Sequence, residues 1–158
     1  MQSTPPIEVN GWKLYTWAAF RDRWDGLVAV VEELRRKDPT GYKRHRMTRF
    51  LAILRKVVME EVPRDPRDAR YRQGKTLGSE YAYWRRAKFS GRFRLFFRYH
   101  SGAGIIVYVW LNDEDTLRKV GSRTDVYATF RAMLENERPP SEWDNLIAAR
   151  ETWPDQGR

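Results

Sequence analysis

Between Trp84 and Asn112 the chain reads WRRAKFSGRFRLFFRYHSGAGIIVYVWLN, and no other stretch constrains the fold as tightly. Three segments rich in aromatic and β-branched residues, Trp84 to Ser90, Arg92 to His100 and Gly104 to Asn112, are separated only by turn residues and read as successive strands. Ser101-Gly102-Ala103-Gly104 reads as a hairpin turn. Successive side chains of a strand point to opposite faces. Phe93, Leu95, Phe97 and Tyr99 therefore share one face, while Arg92, Arg94, Phe96, Arg98 and His100 share the other. The first face belongs in a core, and the second carries charge of a single sign. GIIVYVWLN is apolar on both faces, as a central strand requires.

Two amphipathic helices precede these strands. After a strand-like start at Trp12 to Trp17, Phe20, Trp24, Leu27, Val28, Val31 and Leu34 recur at helical spacing, and Asp38-Pro39 closes the segment. Met47, Phe50, Leu51, Leu54, Val57 and Val58 line one side of a second helix that ends near Pro63, and a long loop runs from there to Glu80. Beyond the strands, Thr124 is placed to cap a helix carrying Val126, Tyr127, Phe130, Met133 and Leu134. Ser141 and Asp144 have the spacing of a capping box for a short helix through Leu146 and Ile147. The order β-α-α-β-β-β-α-α predicts an α+β fold, a small antiparallel-dominated sheet with its helices segregated on one face and the other face open. At 158 residues the chain fits one domain, residues 1–158, with 1–9 and 151–158 as flexible ends.

Composition narrows the chemistry. With no cysteine there is neither a disulfide framework nor a thiolate zinc site. No export signal or membrane-length apolar run is present, so a soluble, cytoplasmic protein is expected. Thirty Lys and Arg against 21 Asp and Glu give a net charge of +9, and no acid falls between Tyr81 and Asn112. Arg86, Lys88, Arg92, Arg94 and Arg98 can converge on one patch, with Phe96 as a stacking surface for a base. Such a patch attracts a polyanion. The competing reading is a solvated face whose arginines pair with acids of helices or of a partner. His45 and His100 show no metal-ligand or triad spacing. Asn112-Asp113-Glu114-Asp115 fits a polar loop ending a buried strand better than a magnesium site. No metal or other cofactor is expected. RNA cleavage does not require one, because a ribose 2′-hydroxyl can attack the neighbouring phosphate when cations stabilise the added charge and two protons are handled.

At GRFRLFFRY followed by WLNDEDTLRKVGSRTDVY the sequence closely resembles the YhaV toxins, a branch of the RelE-like ribonucleases of bacterial toxin–antitoxin pairs. The resemblance runs from NGW at Asn10 to Trp12, through KDP at Lys37 to Pro39 and GKTLGS at Gly74 to Ser79, to PPSEW at Pro139 to Trp143. It implies a RelE-like fold, messenger-RNA cleavage that blocks translation, in association with the ribosome, and a PrlF-type antitoxin of the swapped-hairpin kind. It also implies that toxin and antitoxin together bind promoter DNA and repress their own synthesis. By residue, it implies that Arg94 faces the scissile phosphate, that Arg86 and Lys88 orient phosphate or move a proton, and that Tyr127 stands at the start of the C-terminal helix. Arg118 and Arg123 compete for the basic position after the last strand, and Tyr127 is read either as a catalytic group or as the contact that docks its helix. Arg85, Arg92, Phe96, Arg98 and Arg123 are the expected RNA contacts. A non-catalytic module that only holds nucleic acid or an antitoxin is the other reading of the same patch.

Overall fold

Asn10 and Gly11 both sit at positive φ, 51° and 81°, the geometry of a tight hairpin turn, and join β1 (Ile7–Val9) to β2 (Trp12–Thr16). The computed structural model describes residues 5–153. Helix α1 (Ala18–Lys37) stops at Asp38, as the following proline demands. Helix α2 (Arg46–Lys56) continues through a wide turn at Val57–Glu61 into the short α3 (Val62–Arg64), whose last carbonyls accept hydrogen bonds from Asn10 Nδ2 at 3.1 and 3.3 Å. Strands β3 (Arg85–Phe89), β4 (Phe93–His100) and β5 (Ile105–Leu111) form an antiparallel meander. Helices α4 (Val126–Glu135) and α5 (Trp143–Ala148) and a two-residue strand β6 (Glu151–Thr152) complete the described chain.

The fold is α+β, built on a mixed sheet of order β1-β2-β5-β4-β3, with β6 also pairing β2. Among the described residues only the β2–β5 pair is parallel. It leaves β5 central, paired on both sides, which is why GIIVYVWLN must be apolar throughout.

Each face of the sheet carries its own core. Leu14, Leu95, Phe97, Ile106 and Tyr108 meet Phe20, Trp24 and Leu27 of α1 and Leu54, Val57 and Val58 of the second helix. On the opposite face Phe96, Val107 and Val109 meet Val126, Tyr127, Phe130 and Leu134 of α4 and Leu146 of α5. The second face is therefore covered rather than open. Alternation along a strand says which residues share a face but not what covers it, and the apolar stripes of α4 and α5 have to be buried somewhere. A bulge sharpens this arrangement: pairing passes from Phe96↔Trp110 to Phe97↔Tyr108, which makes Val109 an extra residue. Val109 and Trp110 both pack with the α4 core as a result, and Leu111 returns to the α1 side.

Three local expectations need correction. Asp125, not Thr124, caps α4, accepting from Tyr127 N at 3.0 Å. Glu142 precedes α5 without a side-chain cap, so the Ser141 and Asp144 box does not form. The ends are more engaged than expected: Ile7–Val9 pair with β2, and Trp153 is buried against Trp24 and Phe20 with ring centroids 4.8 and 5.3 Å apart. The remaining expected tail residues, 1–4 and 154–158, lie outside the described residues. Among the described residues no helix is long and apolar enough to cross a membrane.

Candidate active site

The β3–β4 register and the cap of α4 bring three strand-borne or loop-borne arginines to one phenol. Tyr127, in the first turn of α4, is only 4% exposed, and its ring packs edge-on against Phe96 at 5.7 Å. Its oxygen accepts from Arg86 Nε at 2.9 Å and from Arg94 Nε at 3.3 Å. Arg118 lies over the ring face, 4.6 Å from the centroid. The ring of Tyr127 thus docks α4 on the sheet, and its hydroxyl accepts from two guanidinium groups side by side.

The remaining donors of these arginines define what the site can do. Arg86 Nη1 donates to Arg70 O at 2.7 Å, and Arg94 Nη1 donates to Gly91 O and Phe93 O, both at 2.9 Å. The Nη2 of each has no hydrogen-bond partner among the described residues, and Arg94 is largely buried while Arg86 is half-buried. No carboxylate pairs with Arg86, Arg94 or Lys88 among the described residues. Lys88 is the cross-strand partner of Arg94 and is exposed. Adjacent cations that lack counter-charges repel one another until an anion sits between them.

Two side chains that the sequence reading gave no part in the site hold this arrangement. Asn112, fully buried at the end of β5, accepts from Arg94 N at 2.8 Å and donates to Arg92 O and Thr116 O at 3.2 and 2.8 Å. It ties the start of β4 to the loop after β5. A polar residue closing an otherwise apolar run was the available signal. Asp125 accepts from Lys119 N at 2.6 Å and Tyr127 N at 3.0 Å, and pairs with Arg118 Nη1 at 2.8 Å. One buried carboxylate thus caps α4, fixes the loop before it and presses Arg118 onto Tyr127. Asp113 caps a single turn at Glu114–Thr116 and so serves the loop.

The other expected RNA contacts are distributed elsewhere. Arg92 is exposed beside the cluster, its Nε donating to Arg118 O at 3.1 Å, and Arg123 is exposed on the loop leading to α4. Phe96 is 0% exposed, stacked on Phe130 at 4.1 Å and on Trp110 at 5.9 Å, and offers no ring face to a base. Arg98 packs among Tyr83, Trp84 and Trp143 at 4.3 to 5.4 Å and donates to Ser141 O at 2.7 Å. Burial pushes its pKa below the ordinary guanidinium value. It fastens α5 to the sheet. Arg85 turns to the opposite face, toward Tyr99, and donates to Ala82 O at 3.0 Å. His100 stacks on Trp143 at 5.5 Å.

Paired guanidinium groups steadied by a phenol, with no carboxylate partner among the described residues, have the chemistry to hold a phosphodiester. The chain belongs to the YhaV toxin family, whose model, described as a toxin with endonuclease activity of a toxin–antitoxin system, matches residues 14–151. It is 45% identical over 149 residues to the ribonuclease toxin YhaV of Escherichia coli K12, covering 93% of this chain and 96% of the relative. The toxin YhaV of Escherichia coli O6:H1 is 44% identical over 148 residues, covering 92% and 96%. No solved structure gives a significant match.

Proposed function

We propose that this protein is an endoribonuclease toxin that cleaves messenger RNA at the Arg86, Arg94 and Tyr127 cluster. One observation carries the reading: Arg86 and the largely buried Arg94 donate to a single phenol oxygen, and no carboxylate pairs with either among the described residues. The reaction is transphosphorylation. The ribose 2′-oxygen bonds to the adjacent phosphorus, the bond from phosphorus to the 5′-oxygen breaks, and the products are a 2′,3′-cyclic phosphate and a 5′-hydroxyl. Arg94 and Arg86 stabilise the extra negative charge on the non-bridging oxygens. Tyr127, whose oxygen already accepts two hydrogen bonds, has its proton left to give to the departing 5′-oxygen. Lys88, exposed and cross-strand from Arg94, orients the phosphate as a further cation, and the proton of the 2′-hydroxyl passes to water. Arg92, Arg118 and Arg123 extend the positive surface along the RNA.

The proposal extends to a RelE-like fold, action on ribosome-associated messenger RNA in the cytoplasm without a metal ion, inhibition of translation and growth, and neutralisation by a PrlF-type antitoxin encoded beside it, with promoter repression by the pair; its support is the family's description as a toxin with endonuclease activity of a toxin–antitoxin system. Arg94→Ala is the test. The variant is expected to lose growth inhibition while still binding antitoxin; full toxicity of Arg94→Ala places the site elsewhere.

A further inference from the structure

On the opposite side of β4 from Arg94 lies a groove of about 250 Å³ between α1, α2 and the β3–β4 turn. Its floor is apolar: Met47, Phe50 and Ile53 of α2 and Phe93 of β4. Ile53 is 42% exposed, unusual for its type in the middle of a helix that otherwise packs on the sheet. The rim carries three cations, Arg23, Arg46 and Arg49, against one carboxylate, Glu114. Arg49 is exposed with no carboxylate partner among the described residues, and the Nε of Arg23 is buried with no acceptor at all. Arg46 meets only Glu114, at 3.4 Å between two exposed side chains, a contact that contributes little in water.

We propose that this groove docks the antitoxin through a short amphipathic segment whose apolar residues enter the floor and whose carboxylates meet the three arginines. The proposal rests on the antitoxin partnership of the toxin reading but not on the catalytic roles assigned above. Charge complementarity selects the occupant. A second copy of this chain brings the same basic excess of +9 and is repelled, whereas an acidic segment supplies the carboxylate that exposed Arg49 lacks among the described residues and adds negative charge beside Arg23 and Arg46. An RNA strand fits less well. The ring of Phe50 is engaged by Phe93 at 4.8 Å and Phe89 at 5.5 Å, so the floor accepts aliphatic side chains rather than a stacked base. Phe93 and Arg94 are neighbours on one strand and face opposite ways, so an antitoxin held here grips the toxin without occupying the arginine cluster.

The test uses the full chain and the antitoxin encoded beside it, with Arg49→Glu and Ile53→Glu made separately. Both side chains are exposed, which leaves the core intact. Antitoxin affinity is titrated for each, and RNA cleavage by the free toxin is measured in parallel. Each variant is expected to bind antitoxin at least about tenfold more weakly, with cleavage within about twofold of the parent. Undiminished antitoxin binding by both variants overturns the proposal. So does a parallel loss of cleavage, which makes the groove an RNA surface instead. Absence of cleavage by the parent protein counts against the nuclease reading alone, since the antitoxin titration is read independently.

Discussion

Replacing Tyr127 with phenylalanine separates the two jobs of that side chain. The substitution keeps the ring, its edge contact with Phe96 at 5.7 Å and the Arg118 guanidinium 4.6 Å above it, and removes only the oxygen that receives Arg86 Nε and Arg94 Nε. Hydrogen bonds to charged groups contribute about 1.5–3 kcal/mol each when buried. Both guanidinium groups keep backbone carbonyl partners and Arg86 is only half-buried, so partial rehydration brings the expected loss of stability to about 1–2 kcal/mol for the pair. Tyr127→Ala, which also empties the space between α4 and β4, is expected to cost about 3–5 kcal/mol. Activity should respond in a different proportion. Without the shared acceptor the two guanidinium groups are no longer held together, and displacing a charge-stabilising group by about 1 Å can cost on the order of 10²-fold in rate. Urea unfolding and cleavage of a labelled RNA, run on the same preparation, give both numbers. A Tyr127→Phe protein that cleaves within about twofold of the parent refutes the idea that the hydroxyl organises the site, and leaves Tyr127 as a helix-docking residue.

Asp125→Ala removes a helix cap and three hydrogen bonds and leaves Arg118 without its partner, so urea unfolding should show a loss of about 2–4 kcal/mol. A loss below about 0.5 kcal/mol contradicts the structural role given to it. Phe96→Leu is expected to lower stability by about 1–2 kcal/mol and leave the RNA affinity of the folded protein unchanged, as measured by fluorescence anisotropy; weaker RNA binding at equal stability would restore Phe96 as a base-stacking surface. Trp153→Ala should cost about 3–5 kcal/mol and make the C-terminal segment sensitive to limited proteolysis, because the indole packs on Trp24 and Phe20.

Much of this molecule is legible in the sequence because its signals are periodic. Phe93, Leu95 and Phe97 fall on the α1 side of the sheet as their alternation requires, and Phe20, Trp24 and Leu27 reach the same core from α1. What alternation cannot convey is the environment of a face. Arg94, Phe96 and Arg98 do share a side, but α4 and α5 cover it, so one residue bonds the Tyr127 hydroxyl, one becomes a core ring and one a helix fastener. Short or aperiodic features were also hidden: β1 and β6 are three and two residues long, and the bulge at Val109 leaves no mark in a uniformly apolar strand. The cap moved from Thr124 to Asp125 because a carboxylate can satisfy Lys119 N, Tyr127 N and Arg118 together. The pairing of Arg86 with Arg94 across Tyr127 depends on the β3–β4 register and on α4 lying against β4, contacts between residues up to 41 positions apart that no local pattern encodes.

The chemistry of the RNA ends tests the central proposal most directly. Purified protein, with and without ribosomes and in the presence of EDTA, is incubated with RNA and the new termini are identified. Attack by the 2′-hydroxyl at an arginine cluster predicts 5′-hydroxyl ends and 2′,3′-cyclic phosphate or 3′-phosphate ends that vanish with Arg94→Ala. New 5′-phosphate and 3′-hydroxyl ends, or cleavage that EDTA abolishes, would contradict it.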